Sequence, residues 1–589
     1  MITASHVAKA EYIIDNSSVV DLIFSELRVD HRGVKPKESN LRLMLIGIFL
    51  SIHLFGSATM TDVYILLTKK LETAEQVRLG VRRQDDLKLL INLENFYYFT
   101  KTINHRLNYG RSVVKLLGDD EILRRHDVIA TMCDRMMDVF QLGWTSDTNA
   151  MDATGLWAWG KGKKKPKKVK KDAKGKGAAL VTEEEAAMDE AVLLETGRGF
   201  EMVDPDDVPE ELKHKIGELN DAAVDSAGLG HDPDAAWGYK TAKVDGVEIF
   251  YGMQEHTLVQ TPAVGDKSDK EPRLIVRFEV APANQDVTDV SLALLDRSPR
   301  RIKWLLADKL YHHQRVEDWQ IPLLERDIFQ IHDLRKDEQG FTEFERMRFA
   351  GGCGHCPATA DEHGVIFRPP PNAPTVEHEN FGVRVELRSH FAMQVLKQPD
   401  ASGTARYRCP ALEGSIGCPL REGSMQAALE AGKPRIQNPP NAERDGEPLP
   451  LCCTQDSVQV TLPTQIFKLS QRLYWGSKKW TRRYKQRTYV EGSYGNRKNN
   501  STENLRRGLH RLTGMANVHL IMAMVNASYN LRMLNNWHER QAAKSGHRCD
   551  LCKDGLHPLL TEIVEPAAVL HLNAEQHSKI TQWLALSIA

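Results

Sequence analysis

The sequence predicts an α/β protein, on three observations. Residues 1–140 carry apolar side chains at three-to-four-residue spacing in successive segments, the pattern of helices with one buried face. From residue 148 the pattern changes to short apolar runs bounded by turn signals, with one helical segment among them. Two of these runs carry an aspartate, in Ala150-Met-Asp152-Ala-Thr-Gly155 and Trp304-Leu-Leu-Ala-Asp308. In open α/β sheets functional groups gather at the strand ends, where these two acids are expected.

The 589 residues suffice for a sizeable core and for three or more domains. A helical N-terminal domain is expected over 1–140 and a core over 141–160 and 231–312. A charged insertion is expected over 161–230 and an inserted subdomain over 313–465. The second part of the core is expected over 466–540, and a C-terminal region over 541–589. The net charge of −1 gives no global field toward nucleic acid, but charge is segregated along the chain.

In the N-terminal part, helices are expected near 40–55, 58–71, 83–105 and 119–140. The start, MITASHVAKAEYIIDN, lacks the basic-then-apolar layout of a signal peptide. The most apolar stretch, Leu41 to Phe55, is short for a bilayer and contains Arg42 and His53. It reads as a buried helix with Ser39 as cap and Gly56 as stop. A soluble, cytoplasmic chain is therefore expected. The pair of helices around Gly56-Ser57 is compatible with a helix-turn-helix. Equally, it is an ordinary packed pair, since Lys69 and Lys70 lie only at the end of the second helix.

Lys161 to Gly177 holds ten Lys and one Asp, and Glu183 to Glu211 holds twelve acids and one Arg. Such blocks bury too little apolar surface to fold alone. The lysine run is suited to DNA-backbone contact, or to a solvated tail partly neutralised by the acidic run. The core then resumes. Thr148 to Leu156, Tyr239 to Val244, Glu248 to Val259, Leu274 to Val280 and Arg301 to Ala307 read as strands, with a turn at Asp245-Gly246 and a helix over Asp286 to Leu295. Asn504 to Gly514 and Val518 to Leu534 read as closing helices.

Nine cysteines in a large non-secreted chain argue for thiols or metal rather than a disulfide framework. Cys353-Gly-His-Cys356 has the spacing of half a tetrahedral zinc site, with Cys409 and Cys418 as the other expected ligands. Cys452-Cys453 follows, and a second pair, Cys549-Asp-Leu-Cys552, has His547 and His557 nearby. Structural Zn²⁺ and metal-free thiols both remain open at this point.

The most specific pattern is Tyr484-x2-Arg487-x3-Glu491-x6-Lys498. On a helix these four side chains share a face. Between Lys478 and Arg511 there are eleven Lys/Arg and two acids, Glu491 and Glu503. A lone carboxylate in such a segment suits metal binding beside bound phosphate. Together, Asp152, Asp308 and Glu491 are what a site needs to hold two divalent cations against a nucleic acid.

This four-residue signature, within Val490-Glu-Gly-Ser-Tyr-Gly-Asn-Arg-Lys498, resembles the third catalytic motif of the DDE insertion-sequence transposases, bacterial cut-and-paste enzymes. The segments around Asp152 and Asp308 resemble that family's first and second motifs, and Asp232-Pro-Asp-Ala-Ala-Trp-Gly-Tyr-Lys240 resembles the strands that follow the first. The likeness covers 145–160, 230–312 and 465–540. It implies an RNase H-like core with Asp152, Asp308 and Glu491 as catalytic ligands of two Mg²⁺ ions about 3.5–4 Å apart. It implies cleavage at element ends and transfer of the freed 3′-OH into target DNA. It further implies that Tyr484, Arg487 and Lys498 grip phosphates, with Asn496, Arg497 and Asn499 extending the grip. A homodimer on DNA and a nucleoid location in a bacterial cytoplasm follow in the same way. The neighbouring aromatics, Tyr474, Trp475, Trp480, Tyr489 and Tyr494, read as core packing before base-holding. Two other functions fit the same residues: an RNase H-like nuclease without strand transfer, and a zinc-containing DNA-binding protein without catalysis.

Overall fold

The structure, a computed structural model, describes residues 2–27, 37–159, 232–241, 247–262, 270–370, 372–506 and 508–545, together with 210, 213–215, 551 and 557–561. The lysine run, all of the acidic run except Glu210, the Asp245-Gly246 turn and the Cys549/Cys552 pair lie outside the described residues. His557 is described, and its ring meets Tyr12 edge-on at 5.7 Å.

The chain is mixed α/β. Helices lead, among them α1 (Ala4–Asn16), α2 (Val19–Leu27), α3 (Glu38–Phe55), α4 (Met60–Ile65), α5 (Leu93–Leu107) and α6 (Asp119–Asp138), with the shorter Thr73–Arg78 and Arg111–Val114 between them. α3 starts one residue before the expected cap. Lys37 occupies the cap position without a side-chain bond, and Ser39 lies inside the helix. Gly56 ends it as expected, at φ 59°. A side chain there would be strained, and its Cβ would come 2.7 Å from the Asn504 Cβ, so the glycine also admits a distant segment. By length and composition α3 can cross a membrane, and it is the only such helix among the described residues. Most of it is buried inside the fold, as a core helix is. After α4 the helix widens into a single π turn, Leu66–Lys70. The helix expected from residue 83 begins only at Leu93. Residues 82–89 instead close a small loop, with a bridge from Arg82 to Leu89 and Leu87 at φ 54°. Asn92 then caps α5 by accepting the Asn95 amide.

The main sheet contains β1 (Thr148–Trp157), β2 (Ala236–Thr241), β3 (Val247–Gln260), β4 (Ile275–Pro282), β5 (Trp304–Leu306) and β6 (Phe329–Ile331). β3 is antiparallel to β1 on one side. Its other edge is shared by β2 at its first half and β4 at its second. β5 and β6 extend the sheet parallel to β1. α7 (Val287–Asp296) connects β4 to β5 and is capped by the Asp286 carboxylate, which accepts the Thr288 amide. A short helix, α8 (Gln320–Glu325), connects β5 to β6.

The inserted stretch builds two further three-stranded sheets. One contains β7 (Thr342–Phe344), β8 (Met347–Ala350) and β9 (Cys353–His355). The other contains β10 (Gln394–Lys397), β11 (Thr404–Arg408) and β12 (Ser457–Thr461), and α9 (Thr375–Ser389) lies between them in sequence. The chain returns through α10 (Lys478–Tyr484), a 3-10 turn (Lys485–Arg487) and α11 (Thr488–Lys498). The described residues of 504–514, expected as helix, are irregular, with Asn504, Gly508 and Gly514 all at positive φ. α12 (Met515–Ser545) is far longer than the sequence pattern suggested and packs against α3, α5, α6 and β4. Its first amide is held by Asp234 and Asn108, and the preceding amide by Asp232. Acids at a helix N-terminus satisfy donors that the helix leaves unpaired.

Candidate active site

The register of β1 and β5 brings the first two acids level. The last paired residues are Ala150 and Leu306, and Asp152 and Asp308 each lie two positions beyond. Side chains two apart on a strand point to the same face. Asp152 is not at the end of its strand, because β1 runs on to Trp157. It is instead central in the sheet and buried, with its carboxylate accepting the Ala153 amide at 2.8 Å. Asp308 follows a strand of only three residues and is partly exposed.

Glu491 arrives on α11, which packs across β1 and β3. The Tyr494 hydroxyl donates to the Asp152 carbonyl at 2.6 Å, and the Lys498 ammonium donates to the Thr154 hydroxyl at 2.7 Å. Both bonds fix the helix against the strand that carries the first aspartate. Upstream, the Arg483 guanidinium donates to the Thr148 hydroxyl at 3.1 Å.

Arg487 collects the three acids. Its guanidinium lies 2.5 Å from Glu491, 3.7 Å from Asp308 and 3.9 Å from Asp152. Three carboxylates from three separate elements thus share one positive charge. Burial pushes the Asp152 carboxyl up to about 8, and the neighbouring Asp308 adds to this, against the pull of Arg487. Burial disfavours the Arg487 charge too, but Tyr484 and the three acids hold its pKa above the ordinary arginine value. Among the described residues, no three His, Cys, Asp or Glu side chains already stand arranged to hold a metal ion. In the acidic cluster a guanidinium stands among the carboxylates instead. It is a stand-in cation, and the donor set is the all-oxygen one that Mg²⁺ takes.

A pH prediction follows from Asp152. Its folded-state pKa is above the unfolded one, so the folded chain binds the extra proton between pH ~4 and about 8. Stability of the metal-free protein should therefore fall as pH rises through that window. Asp152→Asn should melt higher than wild type at pH 8 and equal to it near pH 4. Parallel melting curves at both pH values would remove the buried charge from the account.

The other expected contact residues divide. Tyr484 is buried and stacks on Trp480, with ring centroids 4.6 Å apart, so it forms the floor of the helix rather than a free face. Trp475, Trp480 and Tyr494 are buried as well, in keeping with core packing. Arg497 corrects the expectation of a phosphate contact. It is fully buried, ion-paired with Glu255 at 2.6 Å, and also bonded to Asn526. Lys498 is buried along β1, and its bonds are internal. Asn496 and Asn499 are exposed, and so are Lys478, Lys479, Arg482 and Lys485 on α10 and the turn after it. Sequence reasoning missed Glu255 and Thr154. The signal for Glu255 was a charged residue inside an otherwise buried strand, which needs an opposite partner.

Of the expected zinc ligands, Cys356, Cys409 and Cys418 share one buried apolar cluster. Cys353 is not part of it and packs instead against the apolar core of the β10–β12 sheet. Compared with known protein families, curated protein sequences and solved structures, the chain has no match.

Proposed function

We propose that this chain is a DNA transposase of the DDE type, cutting phosphodiesters at the ends of a mobile element and joining the freed 3′-OH to target DNA. The single observation that carries the reading is the convergence of Asp152, Asp308 and Glu491 on one guanidinium. The strand order supports it. A central β1, with antiparallel β3 flanked by β2 and β4 on one side and parallel β5 and β6 on the other, is compatible with an RNase H-like core.

When bound by these carboxylates, a pair of Mg²⁺ ions would supply a deprotonated water or 3′-OH and neutralise the leaving oxygen. The chain's own residues do the rest. To hold a cation Asp152 would have to give up its proton, so cation binding should be tighter at higher pH. Arg487, paired with all three acids in the metal-free chain, would be released by cations to meet a neighbouring phosphate. Tyr494 and Lys498 hold α11 on β1, so that Glu491 keeps its place as Arg487 moves. Two DNA ends must be held together, so the working form is a homodimer on DNA in a bacterial nucleoid.

The test is a strand-transfer reaction with Mg²⁺, using duplexes that carry the inverted repeats flanking the coding region. Joined products support transposition. Cleavage without joining would leave an RNase H-like nuclease, and binding without either would leave a non-catalytic DNA-binding protein. The exposed basic residues give a second check. Arg482→Ala should flatten the salt dependence of end binding by about 0.9 log unit per log unit of salt for each phosphate that it no longer neutralises. An unchanged slope for both Arg482→Ala and Lys485→Ala would place the DNA on another face.

A further inference from the structure

Outside the acidic site, the strongest unassigned chemistry lies in the inserted subdomain. Cys356, Cys409 and Cys418 are buried together with Phe391, Ile416 and Ile436. Each is followed by proline, at 357, 410 and 419. Proline cannot donate a hydrogen bond, so the next free amide is two residues on. In two cases that amide acts on the sulfur: Ala358 on Cys356, and Leu420 on Cys418. Amide donors on a sulfur favour thiolate over thiol.

A fourth sulfur approaches from the turn before β12. Cys453 is partly exposed and acts electrostatically on both Cys356 and Cys418. Arg421, just past Cys418, donates to the carbonyls of Cys452 and Gln455 at 3.4 and 2.6 Å, tying the two loops together. Cys452 is buried in the apolar core of the β10–β12 sheet, against which Cys453 also packs, and it too acts electrostatically on Cys356 and Cys409.

We infer that Cys356, Cys409, Cys418 and Cys453 bind one Zn²⁺ ion that ties the loops of the inserted subdomain together. Four sulfur donors select a soft, tetrahedral cation. As placed, the sulfurs do not yet form a ligand set, so binding must draw the loops together. Zinc takes sulfur as thiolate, so proton release accompanies loading, and acid should expel the metal. The ligand set differs from the one the cysteine spacing suggested: Cys453 replaces Cys353, whose thiol donates to the Ala350 carbonyl at 3.9 Å.

The test does not depend on transposition. Full-length protein made with zinc supplied should carry stoichiometric zinc by elemental analysis. C409S, C418S, C356S and C453S should each lose it, and C353S and C452S should keep it. Alkylation followed by mass spectrometry covers the case where a variant fails to fold. In wild-type protein those four cysteines should be protected until a chelator is added, and Cys353 should show no chelator dependence. Folded wild-type protein without zinc, zinc retained by C453S, or an alkylation pattern indifferent to chelator would each overturn the assignment.

Discussion

Asp308→Asn should lower both cleavage and strand transfer by at least about a thousandfold, or ~4 kcal/mol of transition-state stabilisation, while leaving the fold intact. Asparagine has nearly the same volume and removes only the charge. Asp308 is partly exposed and its ion partner is Arg487, which keeps Glu491 and Asp152 nearby. The substitution therefore subtracts a cation ligand without leaving a buried group unpaired. Asp152→Asn and Glu491→Gln should fall to a similar floor, and doubles should fall little further, because ligands of one metal cluster act as a unit. Glu503→Gln provides the contrast. Glu503 is the other acid of the basic segment, but it is buried against Ser528 and Arg532. Its loss should cost stability and spare the chemistry of whatever remains folded. Full turnover in Asp308→Asn would end the catalytic assignment.

What could be read in the sequence was set by local periodicity. The strand around Asp152, the capped helix after Asp286 and the one-face relation of Arg487 to Glu491 are short-range patterns, and each is found in the structure. The level placement of Asp152 and Asp308 depends on sheet register, yet it was approachable because both acids sit in apolar runs. What could not be read was decided by distant contacts. Lys498 shares a helical face with Glu491, and that face lies down on β1, so its ammonium reaches Thr154 instead of solvent. Arg497, one residue away and ~100° around the helix, meets Glu255 on β3 and Asn526 on α12. A basic stretch looks solvated in sequence. Only the packing of α11 between β1, β3 and α12 shows that two of its charges are interior. The helix missed at 83–92 fails for a related reason: its apolar spacing is used by a loop folded back from Arg82 to Leu89.

The buried Arg497–Glu255 pair carries the other large expected effect. Both side chains are fully enclosed, and Asn526 bonds both of them. Removing one partner from such a pair leaves an uncompensated interior charge and typically costs about 3–5 kcal/mol. Arg497→Met should therefore lower stability by an amount of that order, seen as a large fall in the denaturant midpoint. Glu255→Leu alone should do much the same. Combining the two should recover most of the loss, because an apolar pair of similar volume carries no desolvated charge. The pair also joins α11 to β3, so a weakened Arg497→Met protein should place Glu491 poorly and lose activity before it loses DNA binding. A phosphate contact at Arg497 predicts the reverse pattern: normal stability, weaker end binding and a flatter salt slope. Measuring denaturant midpoint and salt slope on the same three variants separates the two. A stable Arg497→Met protein with a reduced slope would put that guanidinium on the DNA and detach α11 from β3 at the point where the structure joins them.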